Sequence, residues 1–548
     1  MSEGMTNAVQ WYLHELSSRV VAESGLASDR HHVGKLILRG LKDDPDRILQ
    51  IDGATGEKET FKSSLERSVR CASSFRNVGL KYQDVVISLA PNHLDLAMPI
   101  YASLYLGVIF TGLDKNLGVS ELRDTLKFTA PKIIFCENSN VAVVEESLQL
   151  LNMSVRIVTF GEKQNHMTFT EFLDTYDGGI TVDEFKPGDF DPEETNAFLL
   201  ATSGTTDLPK TAILTHTNIY IGFPTMIYMS TNFPTPINVG LIISPIQWVS
   251  AVFQFVLSPI LKYTRLQSSA PMTQDHAYFL INKYKPELTL SSPTFLTTLL
   301  KPGDRDKCDF TSFRYIIVGG SAVSKELISD LKKLAPKVYV IIGYGMSETG
   351  GMFTDPKFSP FGSVGRPFGH FQFRLVNPET NKVINDPNVH GELQIKGPSV
   401  SKGYYNNPEK TAEAFDQDGW FKTGDIFYRD EYYNLYFVDR LKLLLKYRNH
   451  QVSPVEIEQV ILKHPGVLDV AVTGIPHNEF GDLIVAVVVP IDGINVTAQN
   501  IKDLVKKSLT DTKQLRGGVI FVKELPTTST SKVDRKKIKA LAMSMKCE

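Results

Sequence analysis

A run of small and hydroxylated residues, Thr202 to Thr206, has the composition of a loop that binds phosphate. It follows the apolar run 197–200, and Lys210 comes four residues after it. Backbone N–H groups in such a loop can converge on an anion, and a lysine adds a compact positive charge. The spacing does not match the GxxxxGK[ST] pattern of phosphate-loop NTPases. Taken alone, the loop favours a polar surface turn, with a helix starting after Pro209, over a phosphate site.

Four later segments carry groups that bind nucleotides in many enzymes. Segment 343–350, GYGMSETG, combines an aromatic ring, a hydroxyl and a carboxylate in a glycine-rich turn after a strand, and segment 419–425, GWFKTGD, ends in a carboxylate suited to two vicinal ribose hydroxyls. Segment 439–458 supplies one acidic and two basic side chains. Segment 528–538 supplies a lysine in what we expect to be a mobile polar tail. The groups are Tyr344, Ser347, Glu348, Asp425, Asp439, Arg440, Lys446 and Lys532. Each also has an ordinary structural interpretation as a core residue, helix start, ion pair or solvated side chain.

The elements that must position these groups change character along the chain. Short Val/Ile/Leu-rich runs alternate with amphipathic segments over 84–136 and again over 287–345, which is typical of parallel strands joined by crossover helices. After Gly350, short strands with turn signals indicate an antiparallel β subdomain at about 351–439. The remainder, 440–548, has the pattern of a small α+β domain. The sequence therefore predicts an α/β fold with two doubly wound sheets, a barrel-like β subdomain and a small C-terminal domain.

Bulk properties restrict the class of protein. A chain of 548 residues exceeds the usual span of one hydrophobic core, and a net charge of -3 gives no reason to expect nucleic acid as a partner. Four scattered cysteines without a CxxC pair argue against structural disulfides and zinc, and fit a reducing compartment. The apolar stretch 239–261 is interrupted by Pro245 and Pro259, which favours a strand turning into a buried helix over a membrane span.

With five motifs in this order, the chain resembles the adenylate-forming superfamily of acyl-CoA synthetases, 4-coumarate-CoA ligases and insect luciferases. The similarity covers roughly residues 60–540, and segment 513–526, KQLRGGVIFVKELP, is similar to the insect luciferase-like branch. The resemblance implies an N-terminal adenylate-forming domain at 1–439 and a mobile C-terminal domain at 440–548. It also implies ATP, Mg²⁺ and coenzyme A: a carboxylate attacks the α-phosphate, pyrophosphate leaves, and a thiol then displaces AMP.

The resemblance also assigns roles to residues. Lys532 would act at the α-phosphate and Lys446 in the thiol step, with Asp439 as the hinge between the two steps. Glu348 would bind Mg²⁺, and Gln247 with Trp248 would border the acyl group. The nucleotide contacts would be Thr202, Ser203, Gly204, Thr205, Thr206, Lys210, Gly320, Ser321, Ala322, Tyr344, Gly345, Ser347, Asp425 and Arg440.

Several positions depart from the family pattern. The family usually has glycine where this chain has Asp207, Thr211, Asn449 and Ser531, and an aromatic or histidine followed by histidine where it has Gln247 and Trp248. Asp207 would repel phosphate, Trp248 would reshape the acyl tunnel, and Asn449 lies where the thiol cofactor would pass. The beetle enzymes have arginine at the position of Gly222, so light emission from beetle luciferin is not expected.

Three functions remain open at this point. The leading hypothesis is an ATP-dependent ligase that converts a fatty or arylalkanoic acid to its CoA thioester. The alternatives are a luciferase-type monooxygenase acting on an adenylated luciferin, and a catalytically weakened nucleotide-binding relative. The expected partner is a small carboxylic acid, without stable membrane insertion, and the oligomeric state is not predicted. A cytoplasmic location is expected; the family also includes peroxisomal enzymes, but residues 546–548 are not a Ser-Lys-Leu signal.

Overall fold

The computed structural model describes residues 3–25, 30–202, 210–222, 237–301, 303–321, 323–352, 360–367, 370–448, 450–477, 479–528 and 532–545. Sixteen helices lie within these ranges. They are α1 (Glu3–Ser24), α2 (Val33–Asp43), α3 (Phe61–Asn77), α4 (Ala97–Leu106), α5 (Val119–Thr129), α6 (Val141–Leu150), α7 (Phe169–Tyr176), α8 (216–222), α9 (Val249–Leu261), α10 (Gln274–Tyr284), α11 (Pro293–Leu299), α12 (Lys325–Leu334), α13 (Pro408–Ala414), α14 (Pro454–Ile461), α15 (Ala498–Ser508) and α16 (Arg535–Ser544).

An eight-stranded sheet has the order β15-β14-β13-β12-β10-β11-β1-β2. Its inner strands are parallel, and the two edge strands, β2 and β15, run antiparallel to their neighbours. The strands are β1 (Ile48–Asp52), β2 (Lys58–Thr60), β10 (Val239–Ile242), β11 (Thr264–Gln267), β12 (Leu288–Ser291), β13 (Tyr315–Gly319), β14 (Tyr339–Met346) and β15 (Gly350–Met352). The apolar stretch 239–261 forms strand β10 and the buried helix α9, as predicted.

A seven-stranded sheet has the order β7-β6-β5-β3-β4-β8-β9. All five residues of its central strand β3 are buried, as expected for a parallel strand covered on both faces. Only β9 runs antiparallel, to β8. The strands are β3 (Val85–Leu89), β4 (Ile109–Gly112), β5 (Ile133–Glu137), β6 (Arg156–Phe160), β7 (Met167–Thr168), β8 (Asn196–Thr202) and β9 (Lys210–Thr215). The two doubly wound sheets predicted from the sequence are therefore confirmed, with antiparallel edges added.

Two smaller sheets follow. An antiparallel sheet, ordered β17-β16-β18-β19-β20, contains β16 (Gln372–Val376), β17 (Val383–Ile384), β18 (Gly391–Lys396), β19 (Phe421–Arg429) and β20 (Leu435–Arg440). The last sheet, ordered β22-β21-β24-β23 with β25 beside β24, contains β21 (Leu445–Tyr447), β22 (His450–Val452), β23 (Val467–His477), β24 (Gly481–Pro490) and β25 (Gly518–Phe521). The predicted β subdomain and the smaller α+β domain at the C-terminal end are confirmed. Among the described helices, none is both long enough and apolar enough to cross a bilayer.

Buried neutral histidines make the stability of this fold sensitive to acid. His216, directly after β9, is fully buried, and its ring nitrogens have no hydrogen-bond partner among the described residues. Burial lowers the pKa of His216 to about 3 and that of His93 to about 4. The unfolded chain takes up these protons near pH 6.5, and the folded protein does not. We therefore expect the free energy of unfolding to be highest above pH 6.5 and to fall below it, by about 1.4 kcal/mol per pH unit for each such group.

Unfolding midpoints measured between pH 7.5 and pH 5 test this expectation. His216→Phe removes one titrating ring while keeping a flat apolar side chain beside Phe190, whose ring lies 4.9 Å away. Below pH 6.5, the variant's free energy of unfolding should therefore fall less steeply with decreasing pH, by about the 1.4 kcal/mol per pH unit that one histidine contributes. An identical pH dependence in the variant would contradict the assignment.

Candidate active site

The strands on either side of the predicted phosphate loop form an antiparallel hairpin. Thr202 of β8 pairs with Lys210 of β9, and the Thr202 hydroxyl donates a hydrogen bond to the Lys210 carbonyl at 3.0 Å. The predicted helix start after Pro209 is wrong, because residues 210–215 pair with β8 instead. Ser203, Gly204, Thr205, Thr206 and Asp207 lie outside the described residues. The hairpin therefore fixes both ends of a seven-residue loop.

Tyr404, which sequence reasoning missed, joins Lys210 to Glu348. The ring of Tyr404 lies 5.1 Å from the Lys210 ammonium, and its hydroxyl donates a hydrogen bond to Glu348 Oε1 at 2.8 Å. The backbone of Tyr404 bridges to Ala212 of β9, which brings this segment to the phosphate hairpin. In the sequence, the preceding Gly403 marks a turn without indicating what Tyr404 contacts. The φ of Gly403 is +132°, and a Cβ there would lie 2.4 Å from the Thr411 side chain, so the turn requires glycine.

Glu348 lies in the turn between β14 and β15 and is only 6% exposed. Burial raises the pKa of its carboxyl group, while the Tyr404 hydroxyl and the charges of Arg440 and Lys210 oppose the rise. No cluster of three or more His, Cys, Asp or Glu side chains that could hold a metal occurs in the described part of the chain. A single carboxylate completed by substrate phosphates is a usual arrangement for Mg²⁺, so the residues fit the predicted ion.

Tyr344, Asp425 and Arg440 form a second group. The Tyr344 hydroxyl donates to Asp425 Oδ2 at 2.8 Å, and the Arg440 Nε lies 3.5 Å from Asp425 Oδ1. Asp425 and Arg440 face each other across β19 and β20. Burial raises the pKa of Asp425, although Arg440 and Tyr344 both favour its charged form. Tyr344 lies at the end of strand β14 and not in the turn predicted for it, in agreement with the predicted strand-like run that ends at 345, and only residues 347–349 form the turn.

Lys532 reaches into the same region from the C-terminal domain. Gly320, at the end of β13, has a φ of +92°, and a Cβ there would lie 3.9 Å from the Lys532 Nζ. Burial and the charge of Arg440 lower the pKa of Lys532, while Asp425 opposes this shift. The alternative of a solvated tail lysine is therefore wrong. Ser321 is exposed beside Gly320, Ser347 is half-buried, and Ala322 lies outside the described residues.

Arg535, which sequence reasoning also missed, anchors the Lys532 segment. Its guanidinium bonds both carboxylate oxygens of Glu458 on α14 and the carbonyl of Val472. Asp534 caps α16 by accepting from two backbone N–H groups. Thr528 N–H donates to the Lys532 carbonyl at 2.7 Å. These contacts fix the backbone around Lys532 from both sides.

Gln247 and Trp248 lie in the turn between β10 and α9, where both are partly buried. The Trp248 ring lies 5.9 Å from the Lys532 ammonium. The indole therefore borders the lysine as well as the space predicted for the acyl group.

Lys446 is not brought to this site. It is exposed on β21, where its backbone N–H donates to Asp482 Oδ2 at 3.0 Å. Asp439, the predicted hinge, is buried and accepts hydrogen bonds from the Ser453 hydroxyl at 2.7 Å and the Val455 N–H at 3.2 Å. The structure thus places one of the two predicted catalytic lysines in the site and the other at the surface.

Comparison with known proteins identifies the family to which this fold belongs. The model of the AMP-binding enzyme family matches residues 39–405, and that of the AMP-binding enzyme C-terminal domain matches residues 456–532. The chain belongs to this family, which confirms the resemblance found in the sequence.

Its relatives include luciferases and CoA ligases. The chain is 33% identical to luciferin 4-monooxygenase of Photuris pensylvanica, over 89% of this chain and 90% of that protein. It is 29% identical to 4-coumarate-CoA ligase-like 9 of Arabidopsis thaliana, over 90% of this chain and 86% of that protein. Among solved structures, ATP-bound MatB from Rhodopseudomonas palustris superposes with a TM-score of 0.81 at 25% identity, covering 93% of this chain and 100% of that one.

Proposed function

We propose that the protein is an ATP-dependent acid-thiol ligase that activates a fatty or arylalkanoic acid. In the first step a carboxylate oxygen of the acid bonds to the α-phosphorus of ATP and the bond to pyrophosphate breaks. In the second, the sulfur of coenzyme A bonds to the acyl carbon, its proton is lost, and AMP leaves. The observation that carries this proposal is the Lys532 ammonium beside Gly320 in the same site as Asp425 and Arg440.

Each group has a defined task in the first step. Asp425 accepts hydrogen bonds from the ribose hydroxyls, Arg440 favours its charged form, and the Tyr344 ring lies beside the adenine. Lys210 contributes charge at the phosphates, and Lys532 stabilises the negative charge that builds up on the α-phosphate. Mg²⁺ bound at Glu348 would neutralise phosphate charge. Lys446 would serve the thiol step after Asp439 has let the C-terminal domain turn.

The direct test is incubation with ATP, Mg²⁺, coenzyme A and a panel of carboxylic acids, with pyrophosphate and AMP measured separately. We expect both products with at least one fatty or arylalkanoic acid. Folded protein that binds ATP yet forms no pyrophosphate with any acid would instead support the weakened nucleotide-binding relative.

A luciferase-type oxygenase is the second candidate, because the chain is 33% identical to a luciferin 4-monooxygenase. It predicts carbon dioxide or light from an adenylated luciferin in the presence of oxygen. Gly222, where the beetle enzymes have arginine, argues against beetle luciferin itself. Oxygen consumption during turnover separates the two candidates, since the ligase reaction consumes none.

Tyr404→Phe is expected to raise the Mg²⁺ concentration for half-maximal adenylate formation about tenfold, because Glu348 loses the donor that orients it. The ring and its contact with Lys210 remain. Mg²⁺ titrations at fixed ATP measure this effect. Tyr405→Phe is the matched control, and an equal change in both variants would contradict the role of Tyr404.

A further inference from the structure

The backbone at Trp248 is held by hydrogen bonds, and its indole lies near Lys532. Trp248 directly precedes α9, and its carbonyl accepts hydrogen bonds from the N–H groups of Ala251 at 3.0 Å and Val252 at 3.1 Å. Twelve of the thirteen residues of α9 are buried, so the helix is held by the core. The ring centre lies 5.9 Å from the Lys532 Nζ, within the range over which an ammonium is attracted to an aromatic face.

The charged groups around Lys532 stabilise its ammonium little, so the contact with the Trp248 indole matters for its position. The Lys532 ammonium forms no ion pair with any described side chain, and Arg440 repels it. Asp425 attracts it, but that carboxylate already accepts from Tyr344 and lies beside Arg440. An indole face favours the ammonium without adding charge to the phosphate region. An imidazole, common at this position in the family, becomes cationic when protonated and would then repel Lys532.

We propose that Trp248 is a positioning residue that holds Lys532 in the active site and so favours the domain arrangement that forms the adenylate over the one in which the thiol attacks. This inference rests on the proposed function for its kinetic consequence. Attraction of this kind changes a two-state equilibrium by about fivefold. The effect should therefore appear in the balance between the two half-reactions.

The kinetic test compares Trp248→Leu, which removes the aromatic face, with Trp248→Phe, which retains one. Pyrophosphate exchange measures adenylate formation, and thiol attack is measured on supplied acyl-adenylate. In Trp248→Leu the ratio of the first rate to the second should fall about fivefold, and Trp248→Phe should restore most of it. If the indole acts only by shaping the acid pocket, both half-reactions slow alike and the ratio stays constant, which overturns the proposal.

A double-mutant cycle isolates the contact itself. With Lys532→Ala already present, Trp248→Leu should not change the ratio further, because the ammonium is gone. A further fivefold fall in that background would show that the indole acts independently of Lys532 and would also overturn the proposal.

A third measurement needs neither substrate nor turnover, so it distinguishes failure of this inference from failure of the proposed function. The chain has three tryptophans, Trp11, Trp248 and Trp420. A charge over an indole changes its emission, so substrate-free Lys532→Ala should differ in tryptophan emission from the native protein. The difference should vanish when both proteins carry Trp248→Phe. Identical emission of native protein and Lys532→Ala would contradict the contact.

Discussion

Lys532→Ala is expected to slow adenylate formation by about 10² to 10³, while thiol attack on supplied acyl-adenylate changes little. In the proposed mechanism the lysine meets the charge that develops on the α-phosphate, and it lies against Gly320 near Asp425 and Arg440. In that mechanism, removing the lysine takes away stabilisation of the α-phosphate charge, which is needed in adenylate formation and not in thiol attack. Pyrophosphate exchange and single-turnover thiol transfer measure the two steps separately.

Two other lysines supply controls for this prediction. Lys446→Ala should show the reverse pattern, with thiol attack slowed and pyrophosphate exchange retained. Lys536, four residues after Lys532 and exposed on α16, should tolerate alanine in both assays. Equal loss of both half-reactions in Lys532→Ala would sink the assigned role, since it would indicate damage to the domain as a whole.

Asp207→Gly is expected to tighten binding of MgATP by up to about a hundredfold. Asp207 lies outside the described residues, so this prediction stands on the sequence alone. A carboxylate about 6 Å from one phosphate charge costs roughly 3 kcal/mol at an effective dielectric constant near 20. Because each 1.4 kcal/mol is about tenfold in affinity, its removal gives the predicted gain. Calorimetric titration with MgATP measures it.

Thr211→Gly is the matched control for this gain. Thr211 is the other position near the loop where the family usually has glycine, but it is buried in β9 and its φ is not positive. Its carbonyl also accepts from the Tyr405 N–H at 2.9 Å. Glycine there should weaken the strand without strengthening ATP binding. Unchanged affinity in Asp207→Gly would show that the aspartate does not act on the phosphates.

The sequence predicted the parts of the fold that depend on local pattern. Short apolar runs identified buried strands such as β3 and β13. The interrupted apolar run 239–261 identified β10 and α9. The family order of the motifs placed Asp425 and Arg440 in one site, and the structure brings them opposite each other on adjacent strands, while their role at the ribose stays a prediction.

The parts that could not be predicted depend on contacts between distant segments. Nothing local in Tyr404 indicates that its hydroxyl meets Glu348, 56 residues earlier in the chain. A helix start was expected after Pro209, because the pairing of Lys210 with Thr202 arises only in the folded hairpin and leaves no local signal. Trp248 appeared only as a bulky residue of the acyl pocket, since its contact with Lys532 depends on how the C-terminal domain is placed.

The unequal placement of the two lysines has a consequence for inhibitor design. Lys532 lies in the site while Lys446 is exposed on the same small C-terminal domain. A compound that binds Lys532 can therefore keep Lys446 out of the site. An adenylate mimic that binds the Lys532 amine would arrest the domain before the thiol step. If the protein is the proposed ligase, raising the concentration of coenzyme A would not relieve inhibition of that kind. A medicinal chemist would therefore gain more from a stable acyl-adenylate analogue than from a coenzyme A analogue.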